Sequence, residues 1–243
     1  MADFQKYINR GAYHWSQIKT NPFKRNAFVL GRYYSMINLV EKYYVKFSLP
    51  LKILDVGCGD GVLPFLLSSK FKSSNIYGID PSKEAIEFAL TYAKSKNLIF
   101  LNGSAYKIPF EDNFFDCVLS SDVIEHLDDV EQYLNEIKRV VKNNGRVIIS
   151  TPIRITKAPE DKEHVIEWFH EDFKEVIKLQ FADTTFYKSH PVAVLEFYNY
   201  KLFRRGYLRL LINIISIFKN PFVGFTSKFK YASLQYSVSK VCK

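Results

Sequence analysis

Apolar residues recur along this chain with two alternating periods. Residues 24–48 place Phe28, Tyr34, Ile37, Val40 and Tyr44 at helical spacing, so an N-terminal helix is expected there. ILDVG (53–57) is a short continuous apolar run that enters glycines, the pattern of a buried strand before a turn. A helix is expected over 62–71, with Pro64 tolerated in its first turn. IYGID (76–80) reads as the second strand and 83–95 as a helix with Ser82 as N-cap. Strands follow at 98–103 and 115–121, and an amphipathic helix at 130–142 ends at NNG, where Gly145 suits a left-handed cap. RVIIST (146–151) is the fifth strand. A helix over 170–178 and a closing strand pair, 180–187 with 232–241, complete the pattern.

Strict alternation of short strands and helices calls for a sheet covered on both faces. The expected fold is α/β, a Rossmann-like seven-stranded, mostly parallel sheet. One domain is expected over 1–243: an N-terminal helical lid (1–49), a cofactor-binding core (50–187), a basic apolar insertion (188–230) and a closing strand (231–243).

DVGCGDG (55–61) lies between a strand and a helix, which lets backbone amides approach a ligand with no side chain between. Asp80 ends the next strand, where a carboxylate can accept both hydroxyls of a ribose. A tight strand–helix connection would explain the glycines alone. An acid leading the turn disfavours a dinucleotide pyrophosphate and favours a ligand carrying an amino cation and a sulfonium.

On these residues the sequence resembles the class I S-adenosylmethionine-dependent methyltransferases. ILDVGCGDG matches their first motif and IYGIDPS their second. NGSAYKIPFEDNFFDCVLSSDVIEHLDD (102–129) resembles their third and fourth, and LNEIKRVVKNNGRVIISTP (134–152) their following helix and fifth strand. The resemblance implies that Asp55 and the Gly57–Gly59 backbone hold the methionine end of the cofactor and Asp80 the ribose. Ser104 and Ala105 would flank the adenine, and Cys58, Pro81 and Ser121 would complete the site. Ser104 stands where many relatives carry Asp, which weakens the contact to the adenine amino group.

SSDVIEHL (120–127) follows the fourth strand, at the sheet edge where such folds bind ligands. His126, supported by Glu125, could take a proton from an acceptor hydroxyl, because imidazole titrates near neutrality. Equally, Glu125 could cap a helix with His126 packed beneath it. EHVIEWFHEDF (163–173) adds His164 and His170. Together with DVIEHL it resembles small-RNA 3′-end 2′-O-methyltransferases, whose acids and histidines hold a divalent metal on a ribose diol. That resemblance implies Asp122, Glu125, His126 and His164 as ligands of Mg²⁺ or Mn²⁺. Related methyltransferases carry a similar stretch without a metal, so both readings stand.

AYHWSQIKTNPF (12–23) offers Tyr13 and His14 for contact with cofactor or substrate, and Trp15 for packing at the sheet edge. Composition then changes the picture at the other end. The formal charge is +9. Residues 197–243 hold nine Lys/Arg and no acid, while 1–196 balance 25 against 25. An anionic neighbour of the tail is expected. The stretch 201–225, with Arg204, Arg205 and Arg209, admits three readings: a helix buried over the site, an interfacial helix on an anionic membrane, or a surface for a phosphate-bearing substrate. Nucleic acid is the weaker partner, since no RNA-binding module accompanies the charge.

Three dispersed cysteines, a start without a secretory pattern and no span-length apolar run point to a cytoplasmic protein, peripherally membrane-associated under the second reading. YHW near the start and a last strand ending in Lys resemble methyltransferases of bacterial surface-polysaccharide pathways. The leading expectation is O-methylation of a sugar or small-molecule hydroxyl. An RNA ribose, a quinone or lipid acceptor, and a non-catalytic cofactor-binding subunit are the alternatives.

Overall fold

The computed structural model describes residues 6–44, 50–157, 161, 163–199, 207–225 and 231–243. Their elements run in the order α1 (Lys6–Arg10), α2 (Tyr13–Gln17), α3 (Ala27–Tyr44), β1 (Lys52–Val56), α4 (Val62–Lys70), β2 (Asn75–Asp80), α5 (Lys83–Tyr92), β3 (Leu98–Asn102) and β4 (Phe115–Ser121). A single turn of 3-10 helix (Ile124–His126) precedes α6 (Val130–Val140), β5 (Val141–Pro152), α7 (His170–Gln180), β6 (Asp183–Pro191), α8 (Val192–Asn199), α9 (Tyr207–Phe218) and β7 (Ala232–Lys240).

The sheet order is β3-β2-β1-β4-β5-β7-β6. Pairings from β3 to β5 are parallel, and β7 runs antiparallel to both β5 and β6. The seven-stranded, mostly parallel sheet is thus as expected. Successive residues feed opposite faces, as the strand period of two requires. Leu54 and Val56 pack with Tyr133, Ile137 and Phe173 of α6 and α7, whereas Ile53 packs with Met36, Val40 and Leu67 of α3 and α4. Strand order reverses between β1 and β4, and this opens a crevice at their carboxyl ends.

Local signals decide the helix starts. The Ser82 hydroxyl accepts from the Ala85 amide (3.1 Å), so the expected N-cap is real. The expected cap at Gly145 is not. Helix α6 stops at Val140, Val141 is already extended, and the left-handed residue is Asn144 (φ 63°). At Gly145 a Cβ would meet the Asp116 carbonyl at 2.8 Å, so close backbone approach, not a positive φ, requires that glycine. Helix α3 buries Tyr33, Met36 and Leu39, while Tyr34, expected on the apolar face, is exposed.

The insertion also departs from expectation. Helices α8 and α9 pack against the N-terminal end of α3, through a cluster of Ala27, Tyr198 and Phe222. They do not cover the crevice, and no described residue of 192–225 lines it. Arg204 and Arg205 lie outside the described residues, and Arg209 lies over the Tyr198 ring, with its Nε–H donating to the Tyr198 hydroxyl (3.2 Å).

Candidate functional site

The crevice is a cavity of about 820 Å³. Its floor is the turn from β1 to α4. Gly57 and Gly59 adopt φ of 76° and 54°, which L side chains rarely accept. A Cβ on Gly57 would lie 2.4 Å from Val123 Cγ2, and one on Gly59 2.0 Å from the Tyr7 hydroxyl. The Gly57 and Cys58 amides donate to the Ile79 carbonyl (2.8 and 3.0 Å), and the Gly59 amide donates to Asp80 Oδ2 (2.9 Å). Turn and acid are therefore one unit.

Asp80 also accepts from the Ser82 amide through Oδ1 (2.9 Å). Burial pushes its pKa up, and these two bonds hold it down. Each oxygen retains acceptor capacity toward the cavity. Asp55 is buried, and its Oδ1 has no hydrogen-bond partner among the described residues. Burial, then the Asp80 charge, pushes Asp55 up. A buried acid with an unmade bond beside a glycine floor fits a ligand that brings an ammonium group, and the amino acid end of S-adenosylmethionine supplies one.

Pro81, Ser104, Ala105 and Ser121 also line the cavity. The Ser104 hydroxyl accepts from the Tyr106 amide (3.1 Å), and Ser121 shares a bond with the Ser150 hydroxyl (3.0 Å). The Cys58 thiol points away, packed with Phe100 and Ala89, so this residue offers the floor its backbone.

The roof is α1 and α2, and Asp60 fastens it. The His14 amide donates to Asp60 Oδ2 (3.1 Å), His14 Nδ1–H to Oδ1 (3.0 Å), and Trp15 Nε1–H to the Asp60 carbonyl (2.7 Å). Trp15 packs, with its ring tilted, against Phe65 and Tyr92. Lys6 pairs with Glu163 at the other rim. The sequence pattern marks Asp55, which leads the turn, but carries no local sign of the role of Asp60 inside it. Asp60→Ala is expected to free residues 6–17, raise the Kd for cofactor about tenfold and speed proteolysis there, with folding otherwise intact. Calorimetry and limited digestion check this, and unchanged affinity would exclude the roof from the site.

Beyond the glycine floor lie the acids and histidines. Asp122 adopts a left-handed φ of 55° and pairs with Arg32, a half-buried guanidinium from α3 that the sequence did not single out. Glu125 is buried. Its Oε2 accepts from the Thr151 hydroxyl (3.0 Å), and its carbonyl accepts from the Val165 and Ile166 amides (2.8 and 3.0 Å). Burial, then the Asp122 charge, raises its pKa strongly. His126 Nδ1 lies 2.9 Å from the Glu163 carbonyl, which can only accept, so Nδ1 carries the hydrogen. In the neutral ring, Nε2 then carries the lone pair. Burial, with His164 and Lys6 nearby, pushes His126 below its ordinary value despite that carbonyl. Its ring lies 5.1 Å from that of His164.

Of the four residues implied as metal ligands, Glu125, His126 and His164 converge, with donor atoms within 4.8 Å of one another. Asp122 does not join them, because Arg32 holds it and places a fixed cation beside the cluster. His170 stands elsewhere, with Nδ1 2.8 Å from the Gln235 amide oxygen.

Residues 54–149 match the family described as methyltransferase domain. The chain is 34% identical over 125 residues to a ubiquinone biosynthesis O-methyltransferase of Rickettsia akari, covering 51% of this chain and 49% of that one. A mitochondrial protein of the same name from Dictyostelium discoideum is 32% identical over 147 residues, 55% of this chain and 45% of that one. The chain thus spans about half the length of these relatives. Among solved structures, Haemonchus contortus phosphoethanolamine N-methyltransferase 2 in complex with S-adenosyl-L-methionine superposes with a TM-score of 0.68 at 20% identity, over 99% of this chain and 59% of that one. A SAM-dependent methyltransferase of Thermotoga maritima superposes at 0.61 and 17% identity, over 98% of both. Residues 54–149, which hold the ordered motifs, the glycine floor and Asp80, thus match a methyltransferase domain, and the sheet topology around them is the fold of solved S-adenosylmethionine-dependent methyltransferases.

Proposed function

We propose that the chain methylates a hydroxyl of a small-molecule acceptor, a sugar in the leading reading, with His126 as the base and Glu125 as its positioning residue. The observation that carries this is the His126 ring. It sits on the cavity wall with Nδ1–H committed to a carbonyl and its pKa lowered, so a neutral imidazole with a basic Nε2 prevails at pH 7. Glu125 holds that turn through its own backbone bonds to 165–166. Asp55, Gly57, Gly59, Asp80 and the 104–105 backbone would hold S-adenosylmethionine, which supplies an activated methyl group when bound. The acceptor oxygen bonds the methyl carbon as the carbon–sulfur bond breaks, and the hydroxyl proton passes to His126. Relatives named as O-methyltransferases over the motif-bearing half support oxygen as the target.

A phenolic quinone precursor is the second reading, favoured by those relatives' names and by the aromatic roof of Tyr7 and Tyr13. Arg32 pairs with Asp122, which leaves Glu125, His126 and His164 as the donors a divalent ion could use, and the proposed step does not call on one. The test is methyl-labelled cofactor with panels of glycans, phenols, RNAs and amines. Label in an ether product, undiminished by extensive chelation, is expected. Label on amines alone would refute oxygen transfer. Cofactor binding with transfer to nothing would favour a non-catalytic subunit, and loss of activity on chelation would restore the metal.

A further inference from the structure

Helix α9 is amphipathic in the wrong sense for a helix that stabilises a core. Its buried residues are polar, Asn213 and Ser216. Asn213 donates through Nδ2 to the carbonyls of Pro22 (2.9 Å) and Arg25 (2.7 Å) and accepts at Oδ1 from the Ala27 amide (3.1 Å). The Ser216 hydroxyl accepts from Arg25 Nε–H (2.8 Å). These bonds satisfy the start of α3 and fix which side of α9 meets the protein. The opposite side carries Tyr207, Leu211, Ile214, Ile215 and Phe218, spaced as one helical stripe, all exposed, with Phe218 at 89%. Phe197 of α8 is also exposed. Folding gains nothing from leaving such a row in water, and a contiguous apolar patch marks a binding surface.

Charge selects the occupant. The stripe lies in the 197–243 segment that holds nine basic residues and no acid, with Lys201, Arg204 and Arg205 just before α9 and Lys219 just after it. A second copy would bring the same stripe and the same positive field, which repels. An anionic lipid surface offers both complements, an acyl boundary for the apolar row and headgroup charge for the lysines and arginines. Among the described residues no helix is long and apolar enough to cross a membrane, so contact would be peripheral.

We propose that α9 is an interfacial anchor that docks the chain on bilayers bearing anionic headgroups. This goes beyond the methyl-transfer reading and needs no turnover to test. The full chain is floated with vesicles of phosphatidylcholine alone and of phosphatidylcholine with phosphatidylglycerol, at low and raised salt. Flotation with the anionic vesicles that weakens with salt is expected. Leu211→Glu/Phe218→Glu, whose side chains touch solvent, is expected to lower partition about tenfold or more, with thermal unfolding and cofactor affinity unchanged. Failure of the parent chain to float, or equal flotation of the variant, overturns the proposal. So does self-association by sedimentation that the double substitution abolishes, which would assign the stripe to a second copy.

Discussion

Asp80→Ala removes S-adenosylmethionine binding. Asp80 is expected to accept from both ribose hydroxyls, and charge-assisted hydrogen bonds contribute about 1.5–3 kcal/mol each. Two of them correspond to roughly two to four orders of magnitude in Kd. The substitution also strips the partner from the Gly59 amide, which Asp80 Oδ2 holds at 2.9 Å, so the glycine floor loosens. Asp80→Asn separates the two effects. It keeps an acceptor for one hydroxyl and the shape of the side chain but loses the charge, so intermediate affinity is expected. Calorimetric titration of both variants checks this, and thermal unfolding confirms that each is folded. Parent-like binding by Asp80→Ala would show that the ligand lies elsewhere.

His126→Ala lowers kcat by about two to four orders of magnitude while leaving cofactor affinity near that of the parent. The division matters, because a histidine that merely supported the cavity wall would change affinity and turnover together. The pH profile gives a second readout. A base works in its deprotonated form, and the lowered pKa of His126 keeps that form dominant at neutrality. Parent activity should therefore rise with pH through an inflection below 6.5, the ordinary imidazole value, and level off by pH 7. In His126→Ala that acidic limb should vanish. A profile still rising steeply above pH 8, or the same limb in the variant, would place the proton elsewhere.

Much of the core was legible because its signals are local. Strand period, glycine spacing and an acid at the end of the next strand all lie within 55–80. The same holds for Ser82, whose cap depends on a residue three positions away. Features that join distant residues were hidden. Asp60 and His14 are 46 positions apart, and Arg32 and Asp122 are 90 apart. Nothing in either neighbourhood names its partner. One weak signal existed for Arg32, a cation within an otherwise apolar stretch of α3. The reading of 201–225 as a buried helix failed for another reason. Apolar side chains surround most of α9, and orientation was decided by its two polar residues, which found partners on the 22–27 segment. At the end of α6, Asn144 took the positive φ expected of its glycine neighbour, because that glycine lies against Asp116. Of the residues assigned to one metal site, three do cluster, since the turn 124–126 and the 163–166 stretch share backbone bonds. The fourth was lost to a charge from another element.

The most direct measurement is calorimetric titration of the parent chain with S-adenosylmethionine and, separately, with NAD. Saturable binding of S-adenosylmethionine, one per chain, is expected. It should be abolished by Gly57→Val, which would drive a branched side chain into Val123 at the floor of the cavity. NAD should bind far more weakly, because Asp55 leads the turn where a pyrophosphate would rest. No binding of S-adenosylmethionine, or tighter binding of NAD, would contradict the cofactor assignment and the methyl transfer built on it.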